Sequence, residues 1–308
     1  MEFITDLDDL PKYLNKIEKI FNINSMTSEI IDADKIIDYY EESEVGYKFL
    51  HSPEGSIHMA INYDGVFNKN GYLEQAKKVD SIIKNNGIKH VLELGCGKGF
   101  NSKFLAEHNP NVTFTGVDLS PSHIKAAKDS TSQLNNIFFL NEDFQNLPFD
   151  TESFELVFEV ESICHALDMP KALSETFRVL KNNGTFILFD GFRKNNFNEL
   201  PANLRLAAKL TEISMAWGKP LIIDDFINIA KDTGFGILDV SDISHAIMPN
   251  LKRLQVMARG FYKYPSLANV LKKILPAHLL KNSIAGVLMP ITIKNGAQGY
   301  YLIEMKKR

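Results

Sequence analysis

A chain of 308 residues, 44% hydrophobic and 23% charged, is long enough to bury a substantial core and ordinary enough in composition for a globular protein. Its net charge of −4 argues against a nucleic-acid binder, and its two cysteines, Cys96 and Cys164, supply neither a disulfide framework nor a zinc cluster. No basic stretch followed by an apolar run opens the sequence. The longest uncharged apolar stretch, residues 284–293, is also too short for a bilayer, which takes ~20 residues, so a cytoplasmic protein with no metal site is expected. The charge is uneven. Residues 246–308 hold eleven Lys or Arg and one acid, leaving 23 basic and 37 acidic residues elsewhere, so a +10 segment follows a −14 body.

In chain order, residues 5–45 read as acidic helical segments and the next 25 as turn-rich. From residue 71 the pattern becomes regular. "YLEQAKKVDSIIKNN" has helical spacing, with Gly87 placed as its C-terminal cap. "HVLEL" reads as a strand, "GFNSKFLAEHN" as a helix, and "VTFTGVD" as a second strand. "SPSHIKAAKDSTSQL" reads as a helix opened by Ser120 with Pro121 at its first position. "IFFLNED" and "SFELVFEV" are strands, "MPKALSETFRVLK" a helix, and "GTFILFD" a fifth, doubly buried strand. Such alternation with short connections predicts a doubly wound, mostly parallel α/β sheet. "ELPANLRLAAKLTEISMAW" is a helix apolar on two sides, after which "DDFINIAKDTGF", "GILDVSDI" and the final "GYYLIEM" resume the core pattern. The expected organisation is a helical lid over residues 1–70 and a seven-stranded core over 71–308. Cap insertions are expected at about 191–222 and 245–297.

The stretch "VLELGCGKGF", residues 91–100, carries Gly95, Gly97 and Gly99 in a turn between strand and helix. Glycine there lets backbone approach a ligand closely. A P-loop would need Lys and Ser or Thr after the last glycine, where Phe100 and Asn101 stand. A dinucleotide fingerprint would need one more residue before the last glycine, and Glu93 would face its pyrophosphate. The stretch instead resembles the first motif of the class I S-adenosyl-L-methionine-dependent methyltransferases, and further motifs follow in order. "GVDLS" sets Asp118 at the tip of the second strand, "NEDFQNLPF" sets Asp143 after the third, and "RVLKNNGTFIL" is similar to the family's approach to strand five.

The resemblance implies a Rossmann-like fold and S-adenosyl-L-methionine as cofactor. Asp118 would accept the ribose hydroxyls and Asp143 the adenine amino group, with Leu119 and Phe144 either side of the ring. Gly95, Cys96 and Gly97 would lie along the cofactor, and Glu93 near its methionine moiety, the alternative for Glu93 being a brace for the following helix. Glu159 on the fourth strand and one of the Tyr39–Tyr40 pair complete the expected cofactor site, Tyr39 being the nominated member.

The loop Glu161-Ser162-Ile163-Cys164-His165-Ala166 is similar to that of the sterol C-methyltransferase group, sharing four of six residues, and "GSIHMAI" resembles another run of that group, which places His58 by the cofactor. The aromatic run of the sterol enzymes is replaced by "EVGYKFLHSPEG". Prenyl-diphosphate C-methyltransferases carry a Glu-Ser pair at the position of Glu161-Ser162. Glu161 is therefore the leading catalytic candidate, to stabilise a carbocation or remove a proton, and His165 the second, as base or orienting group. The alternative for Glu161 is a carboxylate that holds the cofactor's ammonium or a backbone amide. In "LKRLQVMARGFYK", Lys252, Arg259 and Lys263 fall on one helical face and Leu251, Leu254, Ala258 and Phe261 on another, and "PAHLLKNSIAGVLMP" reads as a second amphipathic piece. Such segments suit an anionic membrane surface, or dock on an acidic core. The expected acceptor is a hydrophobic small molecule or lipid, methylated on carbon or oxygen. The alternatives are a small polar amine or non-catalytic cofactor binding.

Overall fold

β-branched and aromatic residues concentrate in seven strands: β1 (His90–Leu94), β2 (Thr113–Asp118), β3 (Ile137–Asn141), β4 (Phe154–Val160), β5 (Leu180–Arg193), β6 (Phe235–Asp242) and β7 (Gln298–Lys307). In the computed structural model, which describes residues 3–52 and 55–308, they form one sheet in the order β3-β2-β1-β4-β5-β7-β6. Residues 1–2 and 53–54 of the expected lid lie outside the described residues. Neighbours from β3 to β5 run parallel, and β7 is antiparallel to both β5 and β6. The strand order reverses between β1 and β4, so the connections leaving these strands diverge and open a crevice beyond their carboxyl ends.

The helices are α1 (Leu10–Glu18), α2 (Ile23–Thr27), α3 (Ala33–Gly46), α4 (Glu74–Asn86), α5 (Phe100–His108), α6 (Pro121–Ser130), α7 (Met169–Val179), α8 (Ala202–Ser214), α9 (Ile223–Thr233), α10 (Ser244–Phe261), α11 (Pro265–Leu271) and α12 (Ala277–Lys294). Successive strand residues serve opposite faces of the sheet. Val91, Leu156 and Phe158 pack with Val79 of α4 and Leu105 of α5. Leu92, Leu94 and Val157 pack with Leu173 of α7 and Phe226 of α9. Local signals behave as their chemistry predicts. Gly87 ends α4 at φ 62°, and Ser120 accepts the His123 amide to open α6, with Pro121 next. Asn183 takes φ 62° where β5 bulges past β4.

The remaining helices share a third hydrophobic cluster. Leu10, Tyr13 and Ile17 of α1, Leu204 and Leu210 of α8, and Ile284, Val287, Leu288 and Ile291 of α12 meet there. The expectation of an amphipathic surface segment in "PAHLLKNSIAGVLMP" is corrected: α12 is buried from Ile284 to Ile293, wrapped by α1, α3, α8 and α10. A helix covered on all sides needs apolar residues all round, and that stretch has them. Its basic end meets the acidic lid: Lys281 pairs with Glu29 at 2.9 Å, and the His278 amide donates to Glu42 at 2.8 Å.

The helical layer is pinned to the sheet by a buried polar cluster. Glu212 of α8, 1% exposed, receives Arg193 of β5 through Nε at 2.8 Å and Nη2 at 2.5 Å, and Gln298 of β7 at 3.0 Å. Glu212→Ala strands the guanidinium, and chemical denaturation is expected to show a loss of about 3 kcal/mol, the usual cost of halving such a pair.

Candidate active site

The crevice is shaped by three segments: the glycine loop after β1, the turn after β4, and the strap of residues 55–61. Gly95 has φ 63°, and a Cβ there would lie 2.3 Å from the Ser162 Cβ, so loop and turn touch through a backbone that only glycine supplies. Ser162 Oγ donates to Leu94 O at 2.8 Å, locking the contact. Gly97, at φ 50°, is covered by Ile57 of the strap. Its amide donates to Asp118 Oδ2 at 2.8 Å, while Asp118 Oδ1 accepts the Ser120 amide at 2.9 Å. Asn141 donates to the carbonyls of Asp118 and Leu119 at 2.9 and 2.8 Å, fixing the tip of β2. Half-buried Leu119 and Asp143 and buried Phe144 stand beside that tip, with Asp143 holding the Gln145 amide at 2.8 Å.

Glu93, 2% exposed, accepts from Asn101 Nδ2 at 3.3 Å and from Ser102 Oγ. It thus takes the bracing position at the start of α5, and burial pushes its carboxyl up to about 8. His58 packs on Phe100 with ring centroids 5.7 Å apart. Its Nδ1–H donates to Met59 O, and burial pushes its pKa down to about 4, so the ring is neutral. The His58 ring and the buried Asn101 side chain interact with each other beside the start of α5.

Several expected residues sit differently. The Cys96 thiol is turned into the core beneath Gly116, and its N–H and C=O are taken by Val117 and Gly99, leaving nothing to offer a cofactor. Glu159 is fully buried and caps the turn instead: its Oε2 accepts the amides of Ser162 and Ile163 at 2.8 and 3.2 Å. The left-handed Glu161, φ 54°, folds the chain back and brings those amides over it. Of the tyrosine pair, both line the cavity, but Tyr39 spends its hydroxyl on Tyr47 at 2.6 Å. Tyr40 is the one that spans the crevice, edge-on to His123 and bonded to His165 Nε2 at 2.8 Å. His165 Nδ1–H donates to Ala216 O at 2.8 Å and burial lowers its pKa, so the neutral Nε2 is occupied as acceptor of the Tyr40 hydroxyl. His165 anchors Tyr40 and has no free lone pair to act as a base.

Beyond the crevice lies a cavity of about 60 Å³, walled in part by Ile57, Met59, Met215, Trp217, Ile247, Met289 and Ile293. Glu161 stands in this wall. Its Oε1 accepts the Met59 amide at 2.6 Å, and the Tyr300 hydroxyl also donates to the carboxyl. Burial, only partly offset by these two donors, pushes Glu161 up to about 8. Buried Gln75 ties the donors together, giving hydrogen bonds to Met59 O at 2.7 Å and Tyr300 Oη at 3.4 Å. Asp190 holds the amides of Cys164 and Gly191 at 2.9 and 2.6 Å and is pushed up to about 6, burial being the main cause. Sequence reasoning missed Tyr300, Gln75, Met59 and Asp190. Only the run "GYY" in the last strand offered a signal, and nothing local tied it to residue 161.

The crevice therefore presents the carboxyl groups of Glu93, Asp118 and Asp143, and Lys98, in the loop, is paired with Glu44 at 2.6 Å. Such an acid-lined site suits a nucleoside that itself bears positive charge and hydroxyl donors. The sequence profile described as "Methyltransferase domain" matches residues 92–188, the span from β1 to β5. That span is a methyltransferase domain of the class I S-adenosylmethionine-dependent kind. S-adenosylmethionine is the cofactor of this methyltransferase. An S-adenosyl-L-methionine-dependent Diels-Alderase from Talaromyces variabilis is 28% identical over 261 residues, 80% of this chain and 88% of that one. A sterol methyltransferase-like protein from Botryococcus braunii is 29% identical over 198 residues, 61% of this chain and 50% of that one. Among solved structures, a cyclopropane synthase from Mycobacterium tuberculosis shares the methyltransferase fold with a TM-score of 0.70 and 15% identity, over 91% of this chain and all of that one.

Gly95→Ala is expected to cost about 2–3 kcal/mol of stability, from left-handed strain plus the clash with Ser162, and to abolish S-adenosylhomocysteine binding by calorimetry. Glu93 and Glu161 are largely protonated at neutral pH, and a bound cation favours their ionised forms. Calorimetry of S-adenosylmethionine binding in buffers of different ionisation enthalpy is therefore expected to show proton release at pH 7, diminished in Glu93→Gln.

Proposed function

We propose that this methyltransferase acts on a hydrophobic small molecule of lipid or isoprenoid character, with Glu161 as the catalytic residue and Asp118 and Asp143 as the principal cofactor ligands. The observation that carries the reading is the Glu161 carboxyl, held by two donors from distant segments and set beside Asp190 in a cavity wall that Ile57, Met215, Trp217, Ile247, Met289 and Ile293 make largely apolar. An apolar acceptor gains from the wall by leaving water, which a small polar amine does not. The Botryococcus braunii relative, named for sterol methylation, supports the same class. Asp118, whose oxygens accept the Gly97 and Ser120 amides, would take ribose hydroxyls on its remaining lone pairs.

When bound, S-adenosylmethionine supplies an electrophilic methyl group on a sulfonium, so the protein's main task is alignment. Trp217, Met215, Met289 and Ile293 would hold the acceptor and exclude water, and Tyr40 would close the crevice from the lid side. Glu161, once ionised, would take a proton from an acceptor hydroxyl, or face the positive charge that develops on an alkene carbon and remove a proton from its neighbour. Tyr300 and the Met59 amide would keep the carboxylate aimed while it carries charge.

A second reading is favoured by the Talaromyces variabilis relative, of which this chain covers 88%. In it the same cavity aligns two ends of an apolar chain for cycloaddition, and the methyl group is not passed on. Incubation with methyl-labelled cofactor and a panel of isoprenoid and lipid acceptors separates the two. Label in an apolar product supports methyl transfer, whereas product formed without label supports cyclisation.

For methyl transfer, kcat/KM is expected to rise with pH through about 8, because the free enzyme must ionise Glu161. Glu161→Gln is expected to lose ~100-fold or more in kcat, as removal of a general base usually does, with unchanged S-adenosylhomocysteine affinity. In Tyr300→Phe the carboxylate loses a donor to its charged form, and the ascending limb is expected to move up by about one pH unit.

A further inference from the structure

The basic C-terminal segment is mostly spent on the protein itself. Lys281 is paired with Glu29, and α12 lies inside the helical layer. What remains outside is the short stretch from Lys263 to Leu275, around α11. Tyr262 and Ala268, each 1% exposed, root it in the helical cluster. On its outer side Tyr264, Val270, Ile274 and Leu275 project into solvent, Ile274 with 71% of its surface uncovered. They are four of the twelve large hydrophobic residues exposed among the described residues, gathered in twelve positions while the other eight are scattered along the chain. Val270 lies near the end of α11, and Lys273 and Ile274 lie in the turn that follows it. Lys263 and Lys273 are interleaved with the apolar prongs and exposed, while Lys272 reaches back to the Ile20 carbonyl and the Phe21 ring, and no Asp or Glu occurs anywhere from 243 to 303.

We propose that residues 263–275 dock the protein on an anionic lipid bilayer. Charge complementarity selects the occupant: a purely cationic rim around apolar side chains matches a surface of acidic headgroups over hydrocarbon. Lysine and tyrosine are suited to that boundary, each having an apolar body and a polar tip. The prongs stand apart, before, on and just after a short helix, instead of lining a groove, an arrangement that a fluid bilayer accommodates. α11 also joins α10 and α12, which supply Ile247, Met289 and Ile293 to the cavity wall, so the docking face and the cavity belong to one continuous stretch of chain. The proposal stands on this surface and does not depend on which acceptor is methylated.

Sedimentation with vesicles of phosphatidylcholine containing phosphatidylserine, against phosphatidylcholine alone, tests it in the full-length protein. Binding is expected only to the anionic vesicles and is expected to weaken as salt is raised. The double variant Ile274→Asp, Leu275→Asp and the double variant Lys263→Glu, Lys273→Glu are each expected to lose about tenfold or more in vesicle affinity. Both are expected to keep wild-type affinity for S-adenosylhomocysteine, which reports an intact fold. No association with anionic vesicles at low salt, or undiminished binding by both variants, would overturn the proposal. So would light scattering that shows a wild-type dimer converted to monomer by the aspartates, since the face would then serve a second copy of the chain.

Discussion

Four carboxyl groups lie buried or nearly so at the carboxyl edge of the sheet: Glu93 on β1, Glu159 at the end of β4, Glu161 just beyond it, and Asp190 on β5. Apolar surroundings penalise their charge, so each must find donors or remain protonated. The loops at this edge are arranged to answer that demand. The left-handed Glu161 turns the chain so that two amides cap Glu159, and the next amides reach Asp190. Ser162 then meets Gly95, and the glycine loop takes its place against the same turn. Removing the demand for donors would remove the reason for the turn, and with it the shape of the crevice.

The same constraint explains the division of labour among the acids. Glu159 and Asp190 are held by backbone amides of the turn and serve as its internal caps. Glu93 is held by side chains of α5 and sets how that helix leaves the glycine loop. Glu161 and Asp190 both line the cavity, but only the donors to Glu161 come from distant parts of the chain, the strap at Met59 and the last strand at Tyr300. A carboxyl with mobile chemistry and remote supports is suited to reaction, and one locked by its own turn is suited to architecture.

The helical layer resolves the lopsided charge of the sequence. Acidic residues of the first helices and basic residues of the last ones meet across the layer, through Glu29 with Lys281 and through Glu42 at the start of α12. Partly exposed pairs of this kind add little stability individually. The third hydrophobic cluster, in which α1, α8 and α12 interlock, carries the association, and the charges set which ends face each other. Because α3 is part of this layer, Tyr40 is delivered over the crevice by packing that begins far from it.

Short-range chemistry made much of this legible in advance. A glycine turn after a strand, a carboxylate at the tip of the next strand, a Ser-Pro helix start and a Gly helix stop each work through neighbours within a few residues, so spacing alone identifies them. The alternation of strands and helices likewise determined the doubly wound sheet. Whether a side chain meets a ligand, the core or another side chain depends on residues a hundred or more positions away. That is why Cys96 proved to face Gly116, why Glu159 became a cap, and why His165 is occupied by Tyr40. It is also why α12 is a buried strut: the same apolar run is a surface stripe or a core according to what surrounds it. The amino-acid sequence by itself determined the sheet and the cofactor's cradle. Tertiary structure alone decided the wall beyond it and the donors that hold Glu161, because those contacts join segments whose proximity no local pattern encodes.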